Sequence, residues 1–379
     1  MSGATGRAVV VGGGILGTWH AHELIAAGFE VDHLEADAGP TGASVRNFGL
    51  VWVSGRRSGV ELDVAHRARA RWAEVGATVP GGGFRSCGSV TVARTPGEAA
   101  AMEDFGRHPD AAARGTRFMT PAEVRACNPA IAGDVLGALH CAQDAAVEPR
   151  QVLAALRASL SDAPAAARRY RFHRGRRAVA FESGALHDAG GDRWSGDLVV
   201  LATGAAYDHL PGLGGVGGAL RRVRLQMFET EPFGATLTTS VADADTLRYY
   251  PAYEAVSLAG LGEQGDVAAA HHLQLLLVQR LDGALTIGDT HAYEEPFDFA
   301  LCEDPTTELL ARASSVLGAP LPPIRRRWDG VYAQCVDGSV CLREEVERNV
   351  WLVTGPGGRG MTCAPAIAAD TLRAAGVVT

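Results

Sequence analysis

The chain contains no lysine, and all 35 of its basic residues are arginine. A pyridoxal-phosphate enzyme needs a lysine for its Schiff base, and a Walker A loop places one on the phosphates. Both classes of protein are therefore excluded. Acidic residues outnumber arginines by 43 to 35, and the resulting net charge of −8 argues against nucleic acid as a partner.

Long apolar runs and paired cysteines are missing as well. No apolar stretch approaches the roughly 18 residues of a membrane span, so no membrane partner is expected. The early run Ala8–Val11 continues into a glycine-rich turn instead of a cleavage site, which predicts a cytoplasmic protein. The seven cysteines are scattered and never spaced C-x-x-C, so we expect neither a disulfide framework nor a metal site.

The N-terminal segment has the pattern of a nucleotide-binding unit. Arg7–Val11 predicts a buried strand, Gly12–Gly17 reads G-x-G-x-x-G, and helix-forming residues follow as far as Ala27. A second strand, Glu30–Leu34, ends at the acidic Glu35. This order of strand, glycines, helix, strand and acid is the context that the glycine motif requires.

Each residue of the motif has a physical task. Gly12 permits the tight turn, Gly14 lets the backbone approach a pyrophosphate, and Gly17 lets helix and strand pack closely. The helix N-terminus offers unpaired N–H groups and positive dipole to the phosphates. Glu35 can accept hydrogen bonds from a ribose diol, which favours an unphosphorylated ribose. The unit by itself leaves FAD and NAD open.

The segment after Glu35 separates these two cofactors. Thr41–Gly49 (TGASVRNFG) resembles the D-amino-acid oxidase, glycine oxidase and sarcosine oxidase (DAO) superfamily, in which an Ala-Ser pair touches the pyrophosphate and the next residues pass the flavin ring. Three further segments are similar to that family: Val147–Pro149 with the helix Gln151–Leu160, Leu198–Gly204, and Gly355–Thr362. The resemblance implies FAD as the cofactor.

The C-terminal segment also has a physical argument of its own. Trp351–Thr354 predicts a strand, the glycines after it allow close backbone approach, and Ala364–Ala375 predicts a helix. A helix N-terminus directed at the flavin C2 carbonyl would stabilise the negative charge of reduced flavin. The cysteine-bearing motif that bonds the flavin in some relatives is not reproduced around Cys335, so we expect non-covalent FAD.

The resemblance, together with the glycine motif, implies a set of cofactor-binding residues. They are Gly12, Gly14, Ile15, Leu16, Gly17, Glu35, Ala43, Ser44, Asn47, Gly49, Val179, Gly204, Gly357, Gly358, Arg359, Gly360, Met361 and Thr362.

The expected fold class is α/β, with a Rossmann-type FAD-binding domain that is discontinuous in sequence. If the chain is divided as in that family, this domain comprises residues 1–83, 140–218 and 326–379. Residues 84–139 and 219–325 would form a smaller α+β substrate domain with a mostly antiparallel sheet.

The substrate side departs from the family pattern. Where amino-acid oxidases place a carboxylate-binding arginine, the segment Trp328–Ala333 has Tyr332. An α-amino acid bound in the usual way is therefore doubtful. The candidate catalytic residues are Arg46 beside the predicted flavin ring, His291, Tyr249, Tyr250 and Tyr332.

These candidates have structural alternatives. The tyrosines could be core aromatics, and His291 could be a structural histidine. The triplet Arg325–Arg327 could also bind an anion but is typical of a solvated face. We assign Trp328 with the tyrosines to an aromatic wall that lowers the pKa of a bound ammonium by desolvation.

The expected reaction is FAD-dependent oxidation of a small amine, with hydride transfer from the α-carbon to flavin N5 and hydrolysis of the imine to an aldehyde. Gly42–Gly55 and the Gly355–Pro365 ending resemble a subgroup associated with aminophosphonate breakdown, which points to 2-aminoethylphosphonate or its N-methyl derivative. Oxygen or another acceptor would take the electrons. Since the lysine that activates oxygen in the sarcosine-oxidase branch is absent, Arg46 or His291 supplies the positive charge, or the oxidase is slow.

Two alternatives remain open from the sequence. One is a dehydrogenase of a glycine-like amino acid or a 2-hydroxy acid that uses an acceptor other than oxygen. The other is a non-catalytic flavoprotein subunit.

Overall fold

The computed structural model describes residues 6–162, 169–182 and 185–377. Its strands, in chain order, are β1 Arg7–Val11, β2 Glu30–Glu35, β3 Leu50–Val51, β4 Ser89–Ala93, β5 Thr116–Met119, β6 Gly137–Cys141, β7 Ala145–Ala146, β8 Tyr170–Arg174, β9 Ala178–Glu182, β10 Ala185–Asp188, β11 Arg193–Ser195, β12 Leu198–Leu201, β13 Leu220–Pro232, β14 Ser240–Ala242, β15 Leu276–Gln279, β16 Ala284–Gly288, β17 Ile324–Cys335, β18 Leu342–Glu347 and β19 Val350–Thr354. Its α-helices are α1 Ile15–Ala26, α2 Val60–Thr78, α3 Pro96–Arg107, α4 Pro109–Ala113, α5 Pro121–Cys127, α6 Pro149–Asp162, α7 Thr246–Tyr249, α8 Asp266–Ala270, α9 Glu303–Leu317 and α10 Gly360–Ala374.

A six-stranded sheet with the order β18-β19-β12-β1-β2-β8 forms the nucleotide-binding half. Its strands are parallel apart from β18, which pairs antiparallel with β19. Alternate residues of β1 face opposite sides, as a strand requires. Ala8 and Val10 pack against helices α1, α2, α6 and α10, whereas Val9 and Val11 pack toward the small sheet β11-β10-β9. This is the predicted α/β arrangement.

The second half is built on an eight-stranded sheet with the order β17-β13-β16-β15-β14-β4-β6-β5. Its described pairs run antiparallel except β14 with β4. The longest pair, β13 with β17, runs from Leu220 opposite Cys335 to Thr230 opposite Ile324. The mixed α/β fold with a mostly antiparallel second sheet agrees with the predicted fold class.

Some predicted domain boundaries and one predicted helix start differ from the observed strands and helices. The boundaries at residues 140 and 326 fall inside β6 and β17, because both strands continue along the ladder of the eight-stranded sheet. Helix α10 begins at Gly360 rather than at Ala364, so the glycine loop leads directly into its first turn. Among the described residues, no helix combines the length and the apolar character needed to cross a membrane.

Asp144 connects the two halves. This fully buried carboxylate accepts hydrogen bonds from the backbone N–H groups of Val53 and Ser54, at 2.5 and 3.0 Å. It also accepts from the hydroxyls of Ser54 and Ser89, both at 2.6 Å. Ser89 begins β4 of the eight-stranded sheet, whereas Ser54 follows β3, which packs into the core of the nucleotide-binding half. This one side chain therefore links the two halves.

We expect Asp144→Asn to destabilise the protein by about 2–5 kcal/mol, because an amide offers fewer acceptor sites to four converging donors in a buried place. The midpoint of urea unfolding of the FAD-loaded protein measures the effect. Asp134→Asn, which changes an exposed aspartate, is the control and should stay within about 0.5 kcal/mol. A midpoint for Asp144→Asn equal to that of the control would contradict this role.

Candidate active site

One cavity of about 940 Å³ lies between the two sheets. On one side it is lined by residues that directly follow β1, β2 and β12, such as Gly12, Ala36 and Ala202. On the other side are residues of β13 and β17, including Leu225 and Tyr332. In open α/β sheets, ligands bind outside the carboxyl ends of the strands, and this cavity has that position.

The glycine turn forms a close-packed cradle at the cofactor end. Gly12 has φ +103°, and a Cβ on it would lie 2.3 Å from the carbonyl oxygen of Ala202. A Cβ on Gly17 would lie 1.9 Å from the carbonyl oxygen of Gly12. Both positions therefore require glycine, the first for the turn and the second for helix packing. Gly14 lines the cavity, and a Cβ there would lie 3.1 Å from Ser44 Oγ.

Side chains brace this cradle. Glu35 accepts hydrogen bonds from the N–H groups of Gly13 and Asp37, at 2.8 and 3.0 Å, and still borders the cavity. Ser44 Oγ accepts from the N–H of Ile15 at 2.9 Å, in the first turn of α1. Asn47 donates to the carbonyl oxygens of Ala43 and Ser44 and so holds the Ala-Ser segment in place.

The loop before α10 forms one wall of the cavity. Arg359 is buried and donates to the carbonyl oxygens of Pro356, Gly338 and Ser339, with an ion pair to Glu61 at 3.2 Å. Its guanidinium is thus occupied in shaping the loop.

Most of the predicted cofactor residues meet in this cavity. Those that line it are Gly12, Gly14, Ile15, Leu16, Glu35, Ala43, Ser44, Asn47, Gly204, Gly357, Gly358, Arg359, Gly360 and Met361.

The other four predicted cofactor residues lie outside the lining. Gly17 packs inside the motif. Gly49 has φ +71°, and a Cβ on it would meet the carbonyl oxygen of Val147 at 2.2 Å. Thr362 accepts a hydrogen bond from the N–H of Trp52. Val179 on β9 has a side chain that is 41% exposed, whereas the preceding Ala178 borders the cavity, because successive strand residues face opposite sides. A contact between Val179 and the cofactor stays a prediction.

The cavity suits a flavin dinucleotide. A Cβ on Gly42 or Gly204 would meet nothing within 4 Å, so the backbone is open to a ligand there. Thr203 Oγ1 and Trp52 Nε1 are buried without a hydrogen-bond partner, and both residues line the cavity. Such unsatisfied groups are rare in protein interiors and indicate a missing polar partner.

We call the end of the cavity beside β13 and β17 the substrate end. Four aromatic side chains surround it: Tyr249, Tyr250, His291 and Tyr332. The hydroxyl oxygens of Tyr249 and Tyr332 are 3.4 Å apart. The Tyr249 ring stacks on His291 at 4.2 Å between centroids and meets Tyr250 edge-on at 5.0 Å. Burial raises the pKa of all three tyrosines, so they stay neutral at physiological pH. A Cβ on Gly358 would lie within 4.0 Å of both the Tyr249 and Tyr332 hydroxyls, which places these groups over the cofactor loop.

Two neighbouring groups in this wall have opposite pKa shifts. Burial lowers the pKa of His291 to about 4, so its ring is neutral at pH 7. Burial raises the pKa of Asp289 to about 7. Asp289 was not among the predicted site residues; its position directly after β16 was the signal in the sequence that could have identified it.

Arg46 does not reach the cavity, contrary to the prediction. Its guanidinium donates to the carbonyl oxygens of Thr41 and Asp329, at 2.7 and 2.9 Å, and its side chain is 42% exposed. The strand β17 passes close beside it, since a Cβ on Gly330 would lie 3.2 Å from Arg46 Cβ. The two hydrogen bonds to Thr41 and Asp329 hold the guanidinium outside the lining of the cavity.

Trp328 is also absent from the cavity wall. Its indole N–H donates to the carbonyl oxygen of Arg46, and Arg150 lies over its ring at 4.7 Å. The triplet Arg325–Arg327 lies outside the cavity as well, paired with Glu229, Asp282 and Glu303. It is therefore an ion-paired surface, as the alternative interpretation had it.

Arg221 is a cation of the cavity that the sequence argument missed. It opposes Gln334 in the ladder between β13 and β17, and Val223 opposes Tyr332. Since residues two apart share a face of a strand, Arg221 lies diagonal to Tyr332 on the same face. The alternation of side chains along Arg221–Leu225, which puts Arg221 on the same face as Val223 and Leu225, could have identified it from the sequence.

Comparisons with known proteins agree with this geometry. The family model for the DAO family, described as FAD dependent oxidoreductase, matches residues 7–373. The chain therefore belongs to the DAO family of FAD-dependent oxidoreductases, and its cofactor is FAD.

Among individual relatives, a protein from Rhizobium etli assigned as the thiamine biosynthesis oxidoreductase ThiO is 34% identical over 221 residues. That match spans 56% of this chain and 59% of the relative. Two solved structures share the fold. A glycine oxidase from Bacillus cereus has a TM-score of 0.75 and 17% identity, covering 98% of this chain and 94% of its own. An L-α-glycerophosphate oxidase from Mycoplasma pneumoniae with FAD bound has a TM-score of 0.73 and 15% identity, covering 99% and 95%.

Gly14→Val should abolish FAD binding, because the new side chain would fill the space that the pyrophosphate needs beside Ser44. Flavin absorbance per mole of purified protein measures this. Gly39→Val is the matched control, since a Cβ there meets nothing within 4 Å and the residue does not line the cavity. A normal FAD content in Gly14→Val would show that the cradle is misassigned.

The buried Asp289 should make stability depend on pH. Its pKa is raised from 3.8 to about 7 in the folded state, so ionisation opposes folding increasingly from about pH 4 to pH 7 and fully above pH 7. Asp289→Asn should therefore match wild type near pH 4 and be more stable at pH 8, by a few kcal/mol at most, since one pKa unit corresponds to about 1.4 kcal/mol. Thermal unfolding of both proteins across this range tests it; a difference that does not vary with pH would contradict the shifted pKa.

Proposed function

We propose that this protein oxidises a small amine that carries a separate anionic group, with an aminophosphonate such as 2-aminoethylphosphonate or its N-methyl derivative as the preferred substrate. The single observation that carries the proposal is the replacement of the usual carboxylate-binding arginine by Tyr332, together with the presence of Arg221 further along the same face of the sheet.

The surroundings of Arg221 suit anion binding. Its Nε donates to Gln334 Oε1 at 3.0 Å, and its guanidinium lies over the Tyr293 ring at 4.3 Å. Within the described part of the chain, no acceptor contacts its two terminal nitrogens. Two parallel N–H groups of this kind match the oxygens of a phosphonate or carboxylate. Because Arg221 lies diagonal to Tyr332, an anion bound there stands farther along the sheet than an α-carboxylate held at position 332.

The other cavity residues have complementary tasks in this proposal. When bound, FAD supplies a hydride acceptor for the carbon next to the amine nitrogen, and the imine left behind is hydrolysed by water to an aldehyde. Tyr249, Tyr250 and Tyr332 exclude bulk water and favour the unprotonated amine by desolvation. We also propose that FAD is held non-covalently: among the described residues, no cysteine lines the cavity, and Cys335 is buried in the core on the far face of β17.

A second candidate is a dehydrogenase that passes electrons to an acceptor other than oxygen, with a glycine-like amino acid or a 2-hydroxy acid as substrate. Two observations favour this acceptor class. The chain has no lysine to promote the reaction with oxygen, and neither predicted substitute provides a charge, since Arg46 lies outside the cavity and His291 is neutral.

A panel of amines mixed anaerobically with the holoprotein tests the substrate class through bleaching of the flavin absorbance. We expect 2-aminoethylphosphonate or its N-methyl derivative to reduce the flavin faster than uncharged amines of similar size. Glycine or a D-amino acid as the best substrate by a wide margin would overturn the proposal. Reoxidation of the reduced protein in air-saturated buffer then distinguishes an oxidase from a dehydrogenase.

Arg221→Ala should lower kcat/KM for an aminophosphonate by about tenfold to a hundredfold, because a hydrogen bond to a charged group contributes about 1.5–3 kcal/mol. Oxidation of propylamine should change much less. Arg327→Ala removes an exposed, ion-paired arginine outside the cavity and is the matched control. Equal losses for the charged and uncharged substrates would exclude Arg221 as the anion contact.

A further inference from the structure

Three polar groups with free acceptor atoms meet in the wall of the substrate end. Asp289 and Gln274 form a backbone pair: the N–H of Asp289 donates to the carbonyl oxygen of Gln274 at 2.9 Å, and the reverse bond is 3.2 Å. Their side chains therefore lie on one face, where Gln274 Nε2 donates to Asp289 Oδ1 at 3.3 Å. His291 Nε2 is 3.8 Å from Asp289 Oδ2.

The free atoms of this cluster are acceptors. Gln274 is 2% exposed, lines the cavity, and has an Oε1 without any hydrogen-bond partner. His291 Nδ1 lies 3.1 Å from the carbonyl oxygen of His272 and must donate to it, because a carbonyl only accepts. In the neutral ring, Nε2 is then an acceptor as well. Asp289 adds a carboxylate whose Oδ2 lies 3.8 Å from Nε2 of this neutral histidine, too far for a hydrogen bond.

The groups that face the cluster from neighbouring elements do not neutralise it. Tyr249 and Tyr250 at the end of α7, Tyr332 on β17 and Tyr293 are neutral phenols with raised pKa values. Of the cations near this end of the cavity, Arg56 contacts the Trp52 carbonyl and Glu61. Arg221 lies over the Tyr293 ring, and its terminal nitrogens are left for the substrate anion. Buried acceptors without donors are costly, and a ligand that brings N–H donors and a positive charge would satisfy them.

We propose that Asp289, with Gln274 and His291 beside it, binds the ammonium group of the substrate and removes one of its protons. The inference rests on the proposed function, because it assumes an amine substrate. In the proton transfer an N–H bond breaks, its electron pair remains on the nitrogen, and an O–H bond forms on the Asp289 carboxylate. The product of this step is the neutral amine, the form that can be oxidised, and the proton stays on Asp289 until the product leaves.

Burial prepares Asp289 for this task. A base works best when its pKa lies near the working pH, and desolvation brings the pKa of this carboxyl to about 7. The same desolvation lowers the pKa of a bound ammonium, which narrows the gap between donor and acceptor.

Binding of tert-butylammonium to the FAD-loaded protein tests the ammonium site without any turnover. This cation has no hydrogen on the carbon next to nitrogen and cannot be oxidised by hydride loss. Titrated through the flavin absorbance, it should bind wild type at least about tenfold more tightly at pH 8.5 than at pH 5.5, because only ionised Asp289 attracts the cation. Asp289→Asn should bind it weakly at both pH values. Equal affinities in the two proteins at pH 8.5 would overturn the ammonium site.

The pH dependence of flavin reduction tests proton removal. For wild type and an oxidisable amine, the apparent second-order rate constant should rise with pH up to about 7 and then level off. Asp289→Asn should be about 10²- to 10⁴-fold slower at pH 7 and should approach wild type near pH 10, where the amine in solution loses its own proton. Identical profiles for the two proteins would overturn the role of Asp289 and leave the proposed function in place. Flavin that no amine reduces in wild type would overturn the proposed function, whereas the tert-butylammonium titration would still decide the ammonium site.

Two further variants keep these outcomes interpretable. Glu303→Gln removes a carboxylate outside the cavity, one that is exposed and paired with Arg327, and it should leave both the affinity and the profile unchanged. Gln274→Met keeps the volume but removes one acceptor, and we expect it to weaken tert-butylammonium binding by about tenfold at pH 8.5. It provides the decisive comparison if Asp289→Asn fails to retain FAD, and unchanged binding in Gln274→Met would then count against the cluster.

Discussion

The buried carboxylate of Asp144 holds the segment after β3 against the first residue of β4. That segment carries Trp52 and Arg56 into the cavity, while β4 belongs to the sheet whose far strand β17 carries Tyr332. Four hydrogen bonds to one side chain thus help to hold the cofactor half against the substrate half. A buried charge is tolerated only when its lone pairs accept hydrogen bonds. Here the donors come from both halves. The carboxylate is therefore satisfied only when the two halves lie against each other in this way.

The cavity changes its chemical character from end to end. Its cofactor end presents N–H groups at the start of α1 and at the loop before α10, which suit the negative pyrophosphate and the electron-rich reduced flavin. Its substrate end presents neutral phenols and the acceptors of Asp289, Gln274 and His291. Arg221 places a cation further along the same wall. Donors, acceptors and charge are therefore separated in space, so that the anionic dinucleotide and the substrate that we propose would bind at different ends of the cavity.

The long ladder between β13 and β17 explains how the substrate contact can move while the fold is kept. Two antiparallel strands present side chains alternately on a shared face, so a guanidinium lost at position 332 can be supplied from Arg221 on the partner strand. The displacement along the sheet changes the distance from the reacting carbon to the anion. In the function that we propose, this exchange of the anion contact leaves the cofactor site unchanged.

The sequence by itself determined the parts whose physics is local. The turn at Gly12, the close approach at Gly14, the packing at Gly17 and the acid at the end of β2 all follow from residues within one strand-helix-strand unit, and most of the implied cofactor residues do line the cavity. Tertiary structure alone decided the substrate side. Arg46 was expected beside the flavin because it follows the Ala-Ser pair, but its hydrogen bonds to Thr41 and to Asp329, which is far away in sequence, hold it outside the cavity. Asp289 and Arg221 owe their places to strand pairing across the eight-stranded sheet, and Asp289 owes its raised pKa to burial by side chains from several elements. The register of strand pairing and the desolvation of a side chain both depend on residues that are distant in sequence. A local sequence pattern therefore does not determine them.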